Sequence, residues 1–499
     1  MTVESHDAAD EPLRLIRELC SQSADHANAD AVLAARAAAI ARSASEPVRI
    51  AVTGRVNAGK STLVNALVGQ HVARTGPVEA TAHVIRYRFG QFDHVDVVDV
   101  DGRRVPLRAA PDAIPSDVGI PATRVDHIEV FLSTRELTDM ILVDTPGLES
   151  LTEDRSVRTT RLLGSAGADV DAAIVVLDAD SGLVAQQHRV VENYLASREA
   201  AGGTVVGVLS KADTAGDGRD PWPDAEKLAR SAAAALPGVG TVHALCTLLA
   251  ETVSAGLFTQ ALADDLATLA ASVPRTRTIM LLSADRFTAT DDVLDAERRG
   301  RLLERLGLYG VRVALGAIDG GATSATEVAD ALRAASRIDE LREVLRRRVL
   351  AHASTIKAAA ALDQFEALLR APELGQDARL WLGDQVEELR LDPRLHPVLE
   401  HEALAALWSG AARLPEELSV AFERLVGGAD DADRIGVSAT ADPRTVTAAA
   451  RELGGRFRTH AFRTNPRAAW LAVVAERSCL LITQRARARR GPSGGPGRG

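Results

Sequence analysis

Near-continuous apolar runs recur along the first half of the chain. Each is closed by a polar or glycine-rich turn, and several lead into residues spaced three or four apart. Val48–Thr53, Val84–Phe89, His94–Val100, His127–Leu132, Asp139–Val143, Ala172–Leu177 and Thr204–Leu209 are predicted strands. Strands that are apolar on both faces belong to sheets covered on both faces. Residues 47–350 therefore predict an α/β domain, a mostly parallel sheet with helices on both sides. Residues 351–484 carry helical periodicity alone and predict an all-α bundle. Ile338, Leu341, Leu345, Val349, Ile356, Leu362, Phe365 and Leu369 fall mostly three or four apart, so one long helix is expected to leave the α/β part and enter the bundle. Residues 1–46 read as a helical segment packing on that bundle, through Leu13, Ile16, Leu19 and the Ala31–Arg42 run. Residues 485–499 are basic, rich in Gly and Pro, and read as a disordered tail.

Composition refines this picture. A chain of 499 residues exceeds one ordinary core, and 46% hydrophobic residues suffice for two or three. With only 3% aromatics, the alanine- and leucine-rich chain favours helix–helix packing. A net charge of −10 provides no general attraction to nucleic acid or anionic lipid, so no nucleic-acid partner is expected and any lipid contact must be local. Cys20, Cys246 and Cys479 lie far apart without metal-ligand spacing and read as reduced, buried thiols. His188, His243 and His352 form no ligand set. The acidic start lacks an apolar signal region, and no run of 18 apolar residues occurs; the reading is a cytoplasmic protein.

The chemistry is concentrated in three loops. Gly54-Arg55-Val56-Asn57-Ala58-Gly59-Lys60-Ser61 fits G-x-x-x-x-G-K-[ST] between a strand and a helix. The two glycines let the backbone curl so that successive N–H groups face phosphate oxygens, and the helix start adds its dipole. Lys60 is placed to reach the β and γ phosphates, Ser61 to ligate Mg²⁺, and Thr62 completes the nucleotide-binding stretch. Asp144-Thr145-Pro146-Gly147 closes an apolar strand; Asp144 suits a Mg²⁺-bound water and the Gly147 N–H suits the γ-phosphate. Ser210-Lys211-Ala212-Asp213 closes another. Asp213 can accept hydrogen bonds from guanine N1–H and N2–H₂, donors that adenine lacks. The Lys211 stem can lie across the base, and Ser210, where Asn or Thr is commoner, keeps a hydroxyl to tie this loop to the first. GTP or GDP with Mg²⁺ is the expected ligand.

Thr81, ahead of the strand VIRYRF, is the candidate for completing the Mg²⁺ shell and closing over the γ-phosphate; Thr75 is its rival, and an ordinary loop threonine the plain alternative. Residues 241–246 are a candidate base-contacting loop. No glutamine occurs from Glu149 to Thr159, and Gln186 and Gln187 come too late, so water must be positioned by another group.

GRVNAGKSTLVNALVG, EATAHVIRYRFG, HIEVFLSTRELTDMILVDTPGLES and LERLGLYGVRVAL resemble the bacterial dynamin-like GTPases, in particular the shorter member of the isoniazid-inducible pair of actinobacteria. The resemblance covers about residues 48–365. It implies a Ras-like G domain on a helical neck or stalk, hydrolysis when two G domains meet across the nucleotide, self-association or a paralogous partner, and peripheral membrane remodelling at the cytoplasmic face. It also marks Arg55 as a candidate catalytic group in cis, against a solvated or ion-paired arginine. The candidate lipid contacts are Ala403–Ala412 and Ala468–Thr483, the latter followed by Arg485, Arg487, Arg489 and Arg490; a final bundle helix with a basic end is the alternative.

Overall fold

The apolar run after Pro47 becomes the centre of a sheet. In the computed structural model, β1 (Val48–Gly54) is buried throughout and runs parallel to both neighbours, β6 (Met140–Asp144) and β7 (Ala172–Asp178). The structure describes residues 10–26, 30–55, 57–73, 83–112, 114–115, 118–145, 170–179, 204–217, 219–236, 238–289 and 293–489. The remaining strands are β2 (Val84–Phe89), β3 (His94–Asp99), β4 (Arg104–Leu107), β5 (Val125–Leu132), β8 (Thr204–Ser210) and β9 (Val242–Ala244), in the order β4-β3-β5-β2-β6-β1-β7-β8-β9. The β2–β5 and β8–β9 pairs are parallel; β2–β6, β3–β5 and β3–β4 are antiparallel. Each strand expected from the sequence is present to within two residues at either end. Two were not expected, and both are edge strands; β4 carries Pro106, which an edge tolerates.

In chain order the helices are α1 (Glu11–His26), α2 (Ala31–Ser45), α3 (Lys60–Val68), α4 (Trp222–Ala235), α5 (Thr247–Ser254), α6 (Gln260–Ala270), α7 (Pro274–Met280), α8 (Ala284–Ala289) and α9 (Ala296–Asp319). They continue as α10 (Ala325–Ser336), α11 (Ile338–Arg348), α12 (Ala353–Leu369), α13 (Gln376–Leu391), α14 (His396–Trp408), α15 (Glu416–Gly427), α16 (Asp431–Ile435), α17 (Pro443–Ala461) and α18 (Pro466–Ala488). The described residues divide into two units: 47–351 less Thr204, and 10–46 with Thr204 and 352–489.

In the first unit the expected alternation of strands and helices stops at β9. The described residues from Thr247 to Arg348 are helical or turn, because Leu249, Leu266, Phe287, Leu302, Leu306, Val311 and Leu332 bury against one another in a core of their own. The long helix expected across residues 338–369 is broken. α11 ends at Arg348, Val349 departs to φ −119 and ψ −62, and a short 3₁₀ turn covers Leu350–His352 before α12 begins. No Gly or Pro marks the break, and the apolar spacing continues through it.

In the second unit Ile16, Leu19, Leu33 and Ala37 of α1 and α2 share a core with Phe365 of α12 and Leu382 of α13. Asp30 secures the corner: Oδ1 accepts from the Val32 and Leu33 N–H groups that open α2, and Oδ2 accepts from Gly375 N at 2.7 Å. A further core gathers Phe422, Phe457, Leu471, Val474, Ala475 and Ile482, with Phe422 and Phe457 meeting edge to face at 6.3 Å. Ala403, Leu404 and Ala412 also lie in that core, so each stretch considered for lipid contact gives one face to the bundle interior, while Trp470, Val473 and Leu480 of the second stay exposed. α18 runs to Ala488, so Arg485 and Arg487 sit on a helix where a disordered tail was expected; alanine and arginine are good helix formers, and Arg485 is ion-paired with Asp431. Cys20, Cys246 and Cys479 are free and buried. Among the described residues no helix is long and apolar enough to cross a membrane.

Candidate functional site

The parallel order of β6, β1 and β7 brings their carboxyl ends to one edge, where open α/β sheets hold ligands. Gly54 ends β1 at φ +152, and a Cβ there would stand 2.4 Å from Val176 O of β7. No other residue fits, so the loop must start with glycine. It turns through Asn57 (φ 63) and Gly59 (φ 87), the N-cap of α3. Lys60, Ser61 and Thr62 form the first turn, where the unsatisfied N–H groups and the positive dipole end favour an anion. Lys60 Nζ reaches back across the loop and donates to Arg55 O at 2.6 Å. Asn57 is exposed and Ala58 buried. Val56 lies outside the described residues.

Asp144 ends β6 opposite Val52 of β1 and is 2% exposed. Burial pushes its carboxyl up to about 6, against the pull of the Lys60 ammonium. Thr145 donates to Val52 O at 3.0 Å and ties the strand end to β1. A buried carboxylate close to Lys60, with the hydroxyl of Ser61 on the adjoining helix turn, is a hard oxygen set of the kind Mg²⁺ takes. Thr75, Thr81 and Gly147 lie outside the described residues.

The third loop is locked to the first. Ser210 Oγ is wholly buried, 2.5 Å from Ala58 O and 3.0 Å from Leu177 O, and donates its one proton between the phosphate loop and β7. Lys211, at φ 54, pairs with Asp178 at 3.0 Å. Residues 241–246, expected as a loop, contain β9. Beyond it Leu245 N donates to Leu209 O at 2.9 Å and Ala212 N donates to Leu245 O at 3.2 Å, so Leu245 and Cys246 lie beside Ser210–Asp213. Asp213 is half-buried; burial first, and then the Asp213 charge, push the wholly buried Cys246 thiol well above its ordinary value.

Three participants were missed by sequence reasoning. Asp178 directly follows a predicted strand and carries no further signal. Thr247 opens α5 with its Oγ1 3.4 Å from where a Cβ on Gly59 would be. Gly307 faces Asp213 from within α9, and its one signal was a glycine inside a helical pattern.

A buried asparagine holds the far end of α3. Asn65 Oδ1 accepts from Val72 N and Ala73 N at 2.9 and 2.7 Å, and its Nδ2 donates to Glu251 Oε1 of α5 at 2.6 Å. The helix leaving the phosphate loop is thereby fixed to the helix leaving the base loop.

A family model described as 50S ribosome-binding GTPase matches residues 49–211. The isoniazid-induced protein IniC of Mycobacterium tuberculosis is 33% identical over 461 residues, 87% of this chain and 91% of the relative. Dynamin-like protein A of Bacillus subtilis is 28% identical over 145 residues, 28% of this chain and 12% of that protein. A solved chain of an oligomerised bacterial dynamin pair, described as a mechanism for long-range sensing and tethering of membranes, matches with a TM-score of 0.35 and 13% identity, over 95% of this chain and 90% of that one.

Proposed function

The chain belongs to the dynamin-like GTPase family that includes the isoniazid-induced protein IniC and it hydrolyses GTP; from that premise we propose that hydrolysis is coupled to pairing of two G domains and to motion of the helical unit at a membrane. The observation that carries the nucleotide reading is the Ser210 hydroxyl on Ala58 O. It sets the base loop and the phosphate loop at one fixed separation, as a ligand with a guanine at one end and a triphosphate at the other requires.

In this reading the amides of residues 54–61 and the Lys60 ammonium hold the phosphates. Ser61, Asp144 and Thr81 would hold Mg²⁺, which neutralises phosphate charge when bound. Gly147 senses the γ-phosphate. Asp213 accepts from the guanine edge while the Lys211 stem covers its face. Arg55 is the candidate for stabilising charge on the transferring phosphoryl group. If it acts there, Arg55→Ala lowers the turnover rate and leaves GDP affinity unchanged; a parallel loss of both makes it a loop residue only. Residues 149–159 contain no glutamine to orient water. A group gained on dimerisation fills that role, so turnover per molecule is expected to rise with protein concentration, with Lys60→Ala as blank. A flat profile argues against pairing.

The support for membrane contact lies at the α17–α18 hairpin end. Phe462 is 86% exposed beside the exposed Arg463 and Arg467, while Arg456 and Arg458 pair with Glu417 and Glu476. An exposed aromatic among cations suits an anionic headgroup layer. Flotation with phosphatidylglycerol vesicles should lift the wild type and not Phe462→Asp; equal flotation of both excludes this surface. The partner is a second copy or a paralogue whose pairing GTP controls, and the setting is the inner face of the plasma membrane. The matching family model's description supports a second reading, a regulatory GTPase without membrane activity. Co-sedimentation with ribosomes in place of flotation would favour it.

A further inference from the structure

Unusual backbone gathers around the nucleotide loops. Gly307 kinks α9 at φ 61 and ψ 176. Among the described residues three that are not glycine have positive φ: Asn57 in the phosphate loop, Lys211 in the base loop, and Arg337, far from both in the chain. A left-handed turn costs an ordinary residue stability, and such residues cluster at functional sites. Arg337, at φ 60 and ψ 22, is the corner between α10 and α11. The corner meets the nucleotide loops through its backbone. Ser336 is wholly buried at the end of α10, and its carbonyl accepts from Cys246 N at 3.2 Å. The neighbouring Leu245 bonds to Leu209 and Ala212, so the Ser336 carbonyl is the hold on this loop that comes from outside β8 and the base loop. The Ser336 hydroxyl closes the turn, donating to Arg333 O at 2.6 Å and accepting from Ile338 N at 3.2 Å.

The Arg337 side chain ties this corner to α4, the helix that follows the base loop. Its guanidinium carbon lies 3.8 Å from the centre of the Trp222 ring, and Nη1 donates to Glu226 Oε1 at 2.9 Å. Trp222 is itself fixed, its Nε1 donating to Tyr309 Oη at 2.8 Å. Arg337, Glu226 and Leu245 line one cleft. We propose that Arg337 is a positioning residue of the nucleotide site: its guanidinium, closed on Trp222 and Glu226, holds the Ser336 carbonyl against Cys246 N–H and so keeps residues 245–246 in place beside the guanine. The proposal rests on the reading in which Asp213 and this loop meet the base. A planar cation on an aromatic face, paired at one edge with a carboxylate, fixes direction as well as distance. It offsets the cost of the left-handed turn. Without it the corner relaxes and takes the Ser336 carbonyl with it.

The test is GTP turnover by the full chain with Mg²⁺, with tripolyphosphate, which carries phosphates and no base, as competitor. Arg337→Asn puts in a residue that tolerates the left-handed turn and removes the guanidinium. KM for GTP should rise roughly tenfold, the worth of one hydrogen bond, while kcat and inhibition by tripolyphosphate stay at wild-type values. Arg337→Lys, which keeps a cation over Trp222, should recover most of that loss. An unchanged KM in Arg337→Asn would leave the guanidinium without a role and overturn the inference. So would tripolyphosphate inhibition that weakens in step with GTP, since the corner would then support the whole domain. Asp213→Ala separates the two levels. If it raises KM and Arg337→Asn does not, the inference fails and the base site stands. If it leaves KM unchanged, the base-site reading itself fails. Should Arg337→Asn not fold, Glu226→Gln decides: a KM about two- to threefold higher supports the clamp, and an unchanged one overturns it.

Discussion

The two units bury polar groups for different purposes. In the sheet unit the buried hydrogen-bonding atoms gather at strand ends and loop crossings. Ser210 spans the phosphate loop and β7, Thr145 ties β6 to β1, and Asn65 fixes α3 to α5. In the helical unit they lie between packed helices. Arg434 pairs with Glu400 beside His396, and His396 reaches Ser478 at 2.9 Å. The first pattern holds loops in place for something to bind; the second fixes how helices meet. A change in one pattern should therefore appear in chemistry, and a change in the other in stability.

The sharpest test of that division is Lys60→Ala. It removes the ammonium from the phosphate loop and should lower GTP turnover by more than about a thousandfold, over 4 kcal/mol of barrier, with little change in thermal midpoint. Next is Phe422→Ala in the bundle. Phe422 is wholly buried against Phe457, and its truncation should cost about 3 kcal/mol by denaturant titration while basal turnover holds. Turnover falling in step with stability would break the comparison. Ser210→Ala tests the case in between. It deprives two buried carbonyls of their donor and should cost about 1–2 kcal/mol of stability, together with weaker GDP binding. Lost stability without lost affinity would mean that the crossing serves only the sheet.

How much could be read from the sequence follows the same division. The phosphate loop was legible because covalent spacing builds it: Gly54, Gly59, Lys60 and Ser61 are neighbours in the chain before they are neighbours in space. The strands were legible because burial on both faces writes an unbroken apolar run. β9 was not; it has three residues, and its burial comes from packing on β8 and α4. The Gly307 kink and the turn at 349–352 were hidden because apolar spacing continues through both. Asp178 and Thr247 come to the nucleotide loops only once β7, β8 and α5 are assembled, and no local pattern could mark them. Phe462 was overlooked because it stands alone, whereas the apolar stretch after it, whose inner face is core, carries the stronger pattern.

The smallest expected effect concerns pH, and the two units should respond in opposite directions. In the sheet, burial would raise Glu129, but the His127 imidazole 3.8 Å away and the charges of Arg88 and Arg104 outweigh it and hold the carboxyl at about 2. The unfolded chain titrates near the ordinary value of about 4, so this contribution is complete above that pH and is lost only as acid approaches 2. In the bundle, burial pushes Glu402 up to about 7, reinforced by Asp363 and Glu366 of α12 and opposed by Arg390 of α13. Asp363 is pushed up to about 6 by burial and Glu366, against Arg390 and Arg370. Here the folded state keeps its proton longer. Stability is full below the unfolded value and declines as pH rises toward 7, by about 1 kcal/mol per carboxyl after solvent screening. Denaturant titrations of Phe462→Asp, chosen to limit association, should show the bundle transition weakening from about pH 5 to pH 8, and a further Glu402→Gln change should flatten that slope. A slope undiminished in Glu402→Gln would move its origin elsewhere in the molecule. A bundle that gained stability with rising pH would mean that Arg390 outweighs burial there, and the contrast between the units would fail for its charged groups.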